Sequence, residues 1–190
     1  MSAESPGSVL QLLKNDHKRI LGLFRQLEAL LAGRSREMLP GVAAELWTEL
    51  EIHSRIEQEL VYPALLNLPP GTGDYAAAWD RMEQIRELVV GAQQKHGELD
   101  RRVKRIREIR PDLGEFSVPF TELREELELH LKEEEEDLFP LIDGLSPALG
   151  ALGERVLARR KELLESPAFR EFSAEKVQNP NGGEQKRKTG

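Results

Sequence analysis

The sequence predicts an all-α protein: an antiparallel, up-down four-helix bundle with one additional C-terminal helix. Over four long stretches, apolar residues recur at alternating steps of three and four, which is the periodicity of an amphipathic helix. Short connections separate these stretches, and short connections join antiparallel neighbours in a bundle. The composition agrees, because 32% of the residues are charged and only 5% are aromatic, which suits helices better than a β-sandwich.

The first two helices are delimited by clear signals. Ser8 begins an S-x-x-Q sequence, which is the form of an N-terminal capping box, and Gly33 favours the end of that helix. A second helix is predicted from roughly Pro40 to Leu68. It has to end there, because the sequence LPPGTGD that begins at Leu68 is rich in proline and glycine, which break helices.

The third helix is predicted to be long, and the fourth follows it after a short turn. Asp74 is a suitable N-cap for a helix that extends to about Arg110. The beginning of this helix, residues 74–90, is expected either to overhang the bundle or to cover one end of it. After the RPDLG turn, a fourth helix is predicted from around Ser117 to a stop at Gly144.

The end of the chain divides into a helix and a polar tail. Ser146 suits an N-cap and Pro147 a first helical turn, so a fifth helix is expected over about 147–165. The predicted domains are therefore the bundle at 8–143, a helical extension at 147–172 and a disordered tail at 173–190. The sequence of the tail is polar and rich in Gly and Asn, which favours disorder.

The four apolar stripes have gaps, and residues that can bind a metal ion fill them. They include all four histidines of the chain, and they are His17, His53, Glu57, His96, His130 and Glu134. Burying a polar group without a partner is costly, and burying an unpaired carboxylate is worse. Four imidazoles and two carboxylates that converge inside a bundle are the ligands of a divalent metal site.

The spacing of these residues supports their convergence. His53 and Glu57 are an i,i+4 pair, as are His130 and Glu134, so each pair lies on one helix face. The sequences IHSRIEQELVYPAL and LHLKEEEEDLFPLI share the pattern H-x3-E-x4-[YF]-P. The other two histidines are related by nearly the same offset. The chain therefore looks like a duplicated helix pair, which would place two metal ions about a pseudo-two-fold axis.

Polar residues near the ligands have simpler interpretations. A lone histidine on an apolar face is more often a core residue than a ligand, so the prediction rests on the whole pattern. We interpret Glu133, Glu135 and Glu136 as a solvated face, since runs of like charge are usually solvated. Asp137 is the one acid of this run that could support a ligand.

Tyr62 and Phe139 occupy equivalent positions of the repeat, nine residues after a ligand histidine. Nine residues of a regular α-helix turn about 900°, which points both rings away from the metal site unless Pro63 bends the chain. We therefore predict that they pack at the helix ends. A contact between the Tyr62 phenol and the metal centre stays open as an alternative.

The arrangement His17 … His53-x3-Glu57 … His96 … His130-x3-Glu134 resembles the haemerythrin-like (HHE) domain family, in particular its bacterial H-HxxxE-H-HxxxE subgroup. The resemblance covers roughly residues 8–143 and implies a haemerythrin-like bundle. It also implies a non-haem centre of two Fe ions with an oxo or hydroxo bridge. Carried over, His17 and His53 would bind one iron, His96 and His130 the other, and both glutamates would bridge. Nitrogen and oxygen ligands also suit manganese or zinc, so iron rests on the resemblance.

Asp100 marks a departure from oxygen-carrying haemerythrin. That protein has His-x3-His in its third helix, whereas here Asp100 stands four residues after His96. Aspartate is short and this position lies at the edge of the stripe, so Asp100 is not expected among the ligands, although its coordination stays an alternative. The resemblance then implies an open position on each iron, which favours redox turnover over reversible carriage.

The resemblance implies reaction with small oxidants. Members of the subgroup are associated with peroxide decomposition and nitric oxide reduction, so the small molecules expected to bind are H2O2, NO and O2. A catalase-like or nitric-oxide-reducing oxidoreductase is the enzymatic form of this expectation. Three alternatives stay open. The first is a module that binds or senses O2 or iron, and the second is a di-iron oxygenase in which residues 74–94 help to shape a pocket for an organic substrate. The third is a bundle without metal.

Composition limits the other partners. The net charge of −7 and a pI of about 5.3 argue against nucleic acid, because phosphate binding needs a basic face. The chain has no cysteine, which excludes disulfides and thiolate metal sites. It shows neither an apolar run of transmembrane length nor the charge order of a signal peptide. We expect a cytoplasmic protein without membrane association, and the sequence specifies no protein partner.

Overall fold

The structure of the protein is a computed structural model that describes residues 8–33, 36–69, 75–111, 113–143, 149–167 and 169. Four long helices and a shorter fifth account for the regular structure of these ranges. They are α1 (Val9–Ala32), α2 (Leu39–Ile56, Glu57–Val61 and Tyr62–Leu66 in succession), α3 (Tyr75–Arg107), α4 (Ser117–Glu133, Glu134–Leu138 and Phe139–Asp143 in succession) and α5 (Leu152–Glu165). The predicted all-α fold with one additional helix is confirmed.

The predicted start of α1 is also confirmed. The Ser8 hydroxyl accepts a hydrogen bond from the backbone N–H of Gln11 at 3.3 Å, which satisfies one donor of the first turn. The capping box is completed on one side only, because the Gln11 side chain donates to Asn15 instead. The helix ends before Gly33, whose N–H donates to the Ala29 carbonyl.

Two apolar clusters fill the bundle, one towards each end, and the helices pass between them in alternating directions. α1 passes from Leu13 in the first cluster to Ile20 in the second, whereas α2 passes from Leu50 in the second cluster to Ile56 in the first. The same alternation holds for α3 and α4, which carry Ala92 then Leu99 and Leu127 then Leu138. This order is that of an antiparallel, up-down bundle.

The beginning of α3 covers one end of the bundle. Met82, Ile85 and Val89 are buried in the first cluster, together with residues from the ends of α2 and α4 such as Leu65 and Ile142. Of the two expectations for this stretch, covering is therefore the correct one. Burial of these apolar side chains stabilises the closed end of the bundle by the hydrophobic effect.

α5 packs against the same cluster, but it begins later than predicted. Leu152, Val156 and Leu163 are buried in the first cluster, and residues 149–151 form a turn before the helix. The proposed signals at Ser146 and Pro147 lie outside the described residues. So do the proposed cap at Asp74, the stop at Gly144 and the tail at 173–190.

In the part of the chain that the structure describes, no helix combines the length and apolar character needed to cross a bilayer.

Candidate metal centre

The six predicted ligands lie together in one buried layer between the two apolar clusters. Each is at most 3% exposed, and they are His17, His53, Glu57, His96, His130 and Glu134. Every helix of the bundle crosses from one cluster to the other, so each contributes to the layer at the point of crossing. α1 and α3 supply one histidine each, whereas α2 and α4 supply an i,i+4 pair each.

The layer contains two overlapping groups of metal-binding side chains. Within each group, one ligand atom per residue lies within 4.8 Å of the others. The first group is His17, His53, Glu57 and Glu134, and the second is Glu57, His96, His130 and Glu134. Both groups share the two carboxylates, as expected of residues that bridge two metal positions.

Each carboxylate lies between a histidine of one group and a histidine of the other. Glu57 Oε2 lies 3.2 Å from His53 Nε2 and 2.9 Å from His96 Nε2. Glu134 Oε2 lies 3.5 Å from His17 Nε2, and its Oε1 lies 3.8 Å from His130 Nε2. Each carboxylate therefore lies within reach of histidines from both ligand groups.

The hydrogen bonding of the described residues fits a bound cation. His17 Nε2, both ring nitrogens of His53, Glu57 Oε1 and Glu134 Oε2 are buried without a hydrogen-bond partner among these residues, although buried polar atoms are nearly always paired. Neutral imidazole nitrogens and carboxylate oxygens are ligands for first-row divalent metals. A metal bound between them would take one lone pair from each of these four side chains.

Burial sets the protonation of the layer. It lowers the pKa of His17, His53 and His96 below the ordinary value, and it lowers the pKa of His130 to about 3. The imidazoles are therefore neutral, as metal ligation requires. Burial raises the pKa of both Glu57 and Glu134, against a hydrogen bond from Tyr62. A bound cation would counteract that rise, because it favours the ionised carboxylate.

The comparison with protein families matches this geometry. The model of the Hemerythrin HHE cation binding domain matches residues 8–142 of the chain, which include the whole layer. The chain belongs to this family. Together, the family and the two ligand groups support a metal-binding module.

The chain is also similar to individual mycobacterial proteins and to one solved structure. The uncharacterized protein Rv2633c of Mycobacterium tuberculosis is 29% identical over 163 residues, which cover 83% of this chain and 88% of the relative. The uncharacterized protein Mb2666c of Mycobacterium bovis gives the same values: 29% over 163 residues, 83% and 88%. A similar crystal structure is that of a hemerythrin HHE cation binding domain-containing protein from Mycobacterium kansasii, an Rv2633c homolog. The match has a TM-score of 0.64 at 22% identity and covers 88% of this chain and 98% of that chain. This similarity supports the fold.

The prediction that Tyr62 points away from the site is wrong. Its hydroxyl donates to Glu134 Oε1 at 2.6 Å, and it lies 3.3 Å from Glu57 Oε2 and 2.9 Å from His96 Nε2. The reason is a π-helical turn at Glu57–Val61, in which the Tyr62 N–H donates to the Glu57 carbonyl five residues earlier. The extra residue in this turn changes the rotation of the residues that follow it. Tyr62 therefore lies on the same helix face as Glu57, which a regular α-helix would not allow.

The π turn recurs in α4 and places Phe139 in the equivalent position. The Phe139 N–H donates to the Glu134 carbonyl, and its ring stacks on His17 with centroids 5.7 Å apart. The prediction that Phe139 points away is therefore wrong for the same reason. The two halves of the HHE layer differ here, since one ends in a phenol that hydrogen-bonds to the carboxylates and the other in a phenyl ring.

Proline explains why the turn falls there in both helices. Pro63 and Pro140 follow Tyr62 and Phe139 directly, and proline has no N–H to donate to the carbonyl four residues earlier. A π turn accommodates such a break in the α-helical hydrogen-bond ladder. The [YF]-P end of the repeat is thus the sequence signal of the π turn.

Glu135 supports His17 and was misinterpreted as solvated. Glu135 is 38% exposed, yet its Oε1 accepts a hydrogen bond from His17 Nδ1 at 2.8 Å. This bond places the proton on Nδ1 and turns the lone pair of Nε2 towards the layer, the arrangement typical of metal-bound histidines. Asp137, the acid expected in such a role, is exposed.

His96 has a different support from His17. Its Nδ1 lies 3.1 Å from the Ser54 hydroxyl, which also accepts from Gln58 at 2.7 Å. Asp100 lies outside both ligand groups, as expected, and a hydrogen bond from Gln58 opposes the rise in its pKa caused by burial. Ser54 and Gln58 were not identified from the sequence.

The repeat contains a signal for these supporting residues. Gln58 follows Glu57 directly, and Glu135 follows Glu134, so they are equivalent positions of the two halves. Gln58 holds the Ser54 hydroxyl beside His96, and Glu135 accepts a hydrogen bond from His17. Each therefore acts on a histidine of the other helix pair. His17 thus has a carboxylate partner, whereas His96 has a neutral hydroxyl partner.

Replacing Tyr62 by Phe is expected to destabilise the metal-free protein by about 1–3 kcal/mol, because it removes a buried hydrogen-bond donor to two carboxylates. Urea denaturation of metal-free parent and variant measures the difference. Phe139→Leu is a packing control, since it changes the equivalent aromatic position without removing a hydrogen bond. An unchanged unfolding midpoint for Tyr62→Phe would contradict the assigned contacts.

Acid is expected to destabilise the metal-free protein partly through His130. Its pKa is depressed to about 3 from an ordinary 6.5, so the stability it contributes is present above 6.5 and is lost as the pH falls towards 3. The loss is up to about 1.4 kcal/mol per pH unit. His130→Gln lacks this loss, so the stability difference between parent and variant should shrink as the pH falls below 6.5. Chemical denaturation measures the free energy of unfolding of both proteins at each pH. A difference that stays constant across this pH range would contradict the contribution of His130.

Proposed function

We propose that the chain is a non-haem di-iron protein that reacts with a small oxidant. The two ligand groups that share Glu57 and Glu134 are the observation that supports this most strongly. The proposed reactants are hydrogen peroxide, nitric oxide or O2, and the proposed outcome is peroxide decomposition or reduction of the bound gas. The proposal combines the geometry of the layer with membership of the HHE family.

In the proposed assignment, the histidines divide between two ions and the carboxylates serve both. His17 and His53 hold one ion, and His96 and His130 hold the other. The ions are proposed to be iron with an oxo or hydroxo bridge, and iron is preferred over manganese or zinc on the basis of the family. Bound iron would supply one-electron redox chemistry at each position.

The ligand count supports reaction with small molecules. Two imidazole nitrogens and one oxygen from each carboxylate give four protein ligands per ion, which is fewer than an octahedral ion accepts. The six side chains are at most 3% exposed, and apolar clusters lie on both sides of them. A reactant therefore has to be small, and bulk water is kept away from the layer.

Tyr62 has a defined part in this proposal. Burial and the neighbouring Glu57 and Glu134 raise the pKa of its phenol, so the hydroxyl stays protonated at neutral pH. It can therefore donate a hydrogen bond to a carboxylate or to a small ligand beside it. The equivalent Phe139 offers no donor, so the two ends of the layer would treat a ligand differently.

The other candidate functions have less support. An organic-substrate oxygenase was expected to use residues 74–94, but Met82, Ile85 and Val89 of this stretch pack in the first apolar cluster. A module that only binds or senses O2 or iron would use the same ligands as the proposed redox protein. It therefore has to be distinguished by turnover.

Metal analysis and rapid mixing test the proposal together. We expect the purified, iron-loaded chain to hold two irons and His96→Gln to hold fewer, because that variant loses a ligand of one position. Stopped-flow mixing with a molar excess of hydrogen peroxide, and separately of NO with a reductant, should then consume several equivalents per chain. Fewer than one iron per chain would contradict the metal centre, and bleaching that stops after one equivalent would favour a sensor.

Glu135→Gln is expected to weaken iron binding by about 10- to 100-fold, because it removes the carboxylate that orients His17. Glu136→Gln is a matched control, since Glu136 is the next residue and is 64% exposed. Both variants lose one negative charge, so the comparison separates the orientation of His17 from the general electrostatic effect of that charge on iron binding. Competition with a coloured chelator measures the affinity, and equal affinities of the two variants would count against the role of Glu135.

A further inference from the structure

α5 contacts the ligand-bearing helices although it lies beyond the HHE domain match, which ends at residue 142. Arg160 of α5 contacts acids on two of these helices. Its Nη1 lies 2.9 Å from Asp16 Oδ1 on α1, and its Nη2 donates to Glu49 Oε2 on α2. One guanidinium thus joins two helices of the bundle.

The two acids occupy positions next to the histidines of one proposed metal position. Asp16 directly precedes His17, and Glu49 stands one helical turn before His53. Since residues one turn apart share a helix face, Arg160 fixes α1 and α2 relative to each other at the level where these two histidines meet. The rings of His17 and His53 lie edge to face, with centroids 5.0 Å apart.

The cluster is largely buried and depends on its arginine. The side chains of Asp16 and Glu49 are 14% and 5% exposed, and that of Arg160 is 19% exposed. Removing one partner from a buried charge pair leaves an uncompensated charge. Arg19 also contacts Glu49, at 3.1 Å, but it is half-exposed.

The opposite half of the layer is held by other means. His96 and His130 lie on α3 and α4, and their rings meet edge to face with centroids 4.6 Å apart. His96 contacts Ser54, Tyr62 and Glu57 of α2 and His130 of α4. The support that Arg160 gives is therefore directed at the His17 and His53 half.

We propose that Arg160 is a positioning residue that holds His17 and His53 in register, so that α5 governs occupancy of their metal position and not of the other. This inference rests on the proposed di-iron function. It makes the fifth helix part of the metal centre, although no residue of α5 is among the proposed ligands. Loss of Arg160 leaves Asp16 without this partner and Glu49 with Arg19 alone, which loosens α1 against α2 beside His17 and His53 and disturbs one ion selectively.

Arg160→Gln in the full chain tests this inference. We expect the variant to keep one tightly held iron and to release the other to a chelator at about a tenth or less of the concentration that the parent requires. Mössbauer spectra of protein loaded with iron-57 should show one of two signals lost or changed and the other preserved. Arg160→Lys should restore part of the affinity, since it returns the charge without the two-pronged contact.

Arg159→Gln is the matched control on the same helix. Arg159 pairs with Glu59 at 2.8 Å and with Glu162 of its own helix at 2.9 Å, not with the two acids that Arg160 joins, so the iron affinity of this variant should equal that of the parent. Asp16→Asn provides a second route if Arg160→Gln does not fold, and it should weaken the same iron. Circular dichroism before loading shows which variants fold.

The outcomes separate the two proposals. A parent chain with fewer than two irons contradicts the di-iron function, and the inference about Arg160 fails with it. A parent with two irons, together with folded Arg160 and Asp16 variants that release both irons in parallel or hold both like the parent, overturns the positioning role alone. Selective loss in those variants and none in Arg159→Gln supports it.

Discussion

The burial of four imidazoles and two carboxylates in one layer is the constraint on which the rest of the structure depends. Such groups are costly inside a bundle unless they have partners. Apolar clusters lie on both sides of the layer, and burial keeps the imidazoles neutral and raises the pKa of both glutamates. A shared pair of cations is the arrangement that would satisfy all six side chains together. The bundle is therefore best understood as a scaffold that makes this layer tolerable.

The duplicated helix pairs do not give two equivalent halves. A phenol completes one end of the layer and a phenyl ring the other. His17 is supported by the carboxylate of Glu135, whereas His96 is supported by the neutral Ser54 hydroxyl. Because a carboxylate partner raises the basicity of an imidazole ligand, the two proposed metal positions should differ in affinity and potential. Such a difference would suit the proposed redox centre better than a symmetric store of metal.

Sequence periodicity was sufficient to predict the bundle and the convergence of the six candidate ligands. A gap in an apolar stripe shows which helix face is buried and which residue interrupts it. His17 and His96 could therefore be placed by their distance along the helix, and the H-x3-E pairs by the helix face that they share. Tyr62 could not be placed, because its position depends on a π turn and regular α-helical rotation puts it on the wrong side. Glu135 stood in an acidic run, where charge alone favours solvent. The contact between Arg160 and Asp16 joins segments far apart in the chain, and a pattern within one helix carries no information about such a pairing.

Anomalous diffraction at the iron edge, from crystals of the iron-loaded chain, tests the central claim most directly. We expect two iron peaks in the buried layer, one in contact with His17 and His53 and the other with His96 and His130. Glu57 and Glu134 should each contact both peaks. A single peak, or iron bound only outside this layer, would contradict the account.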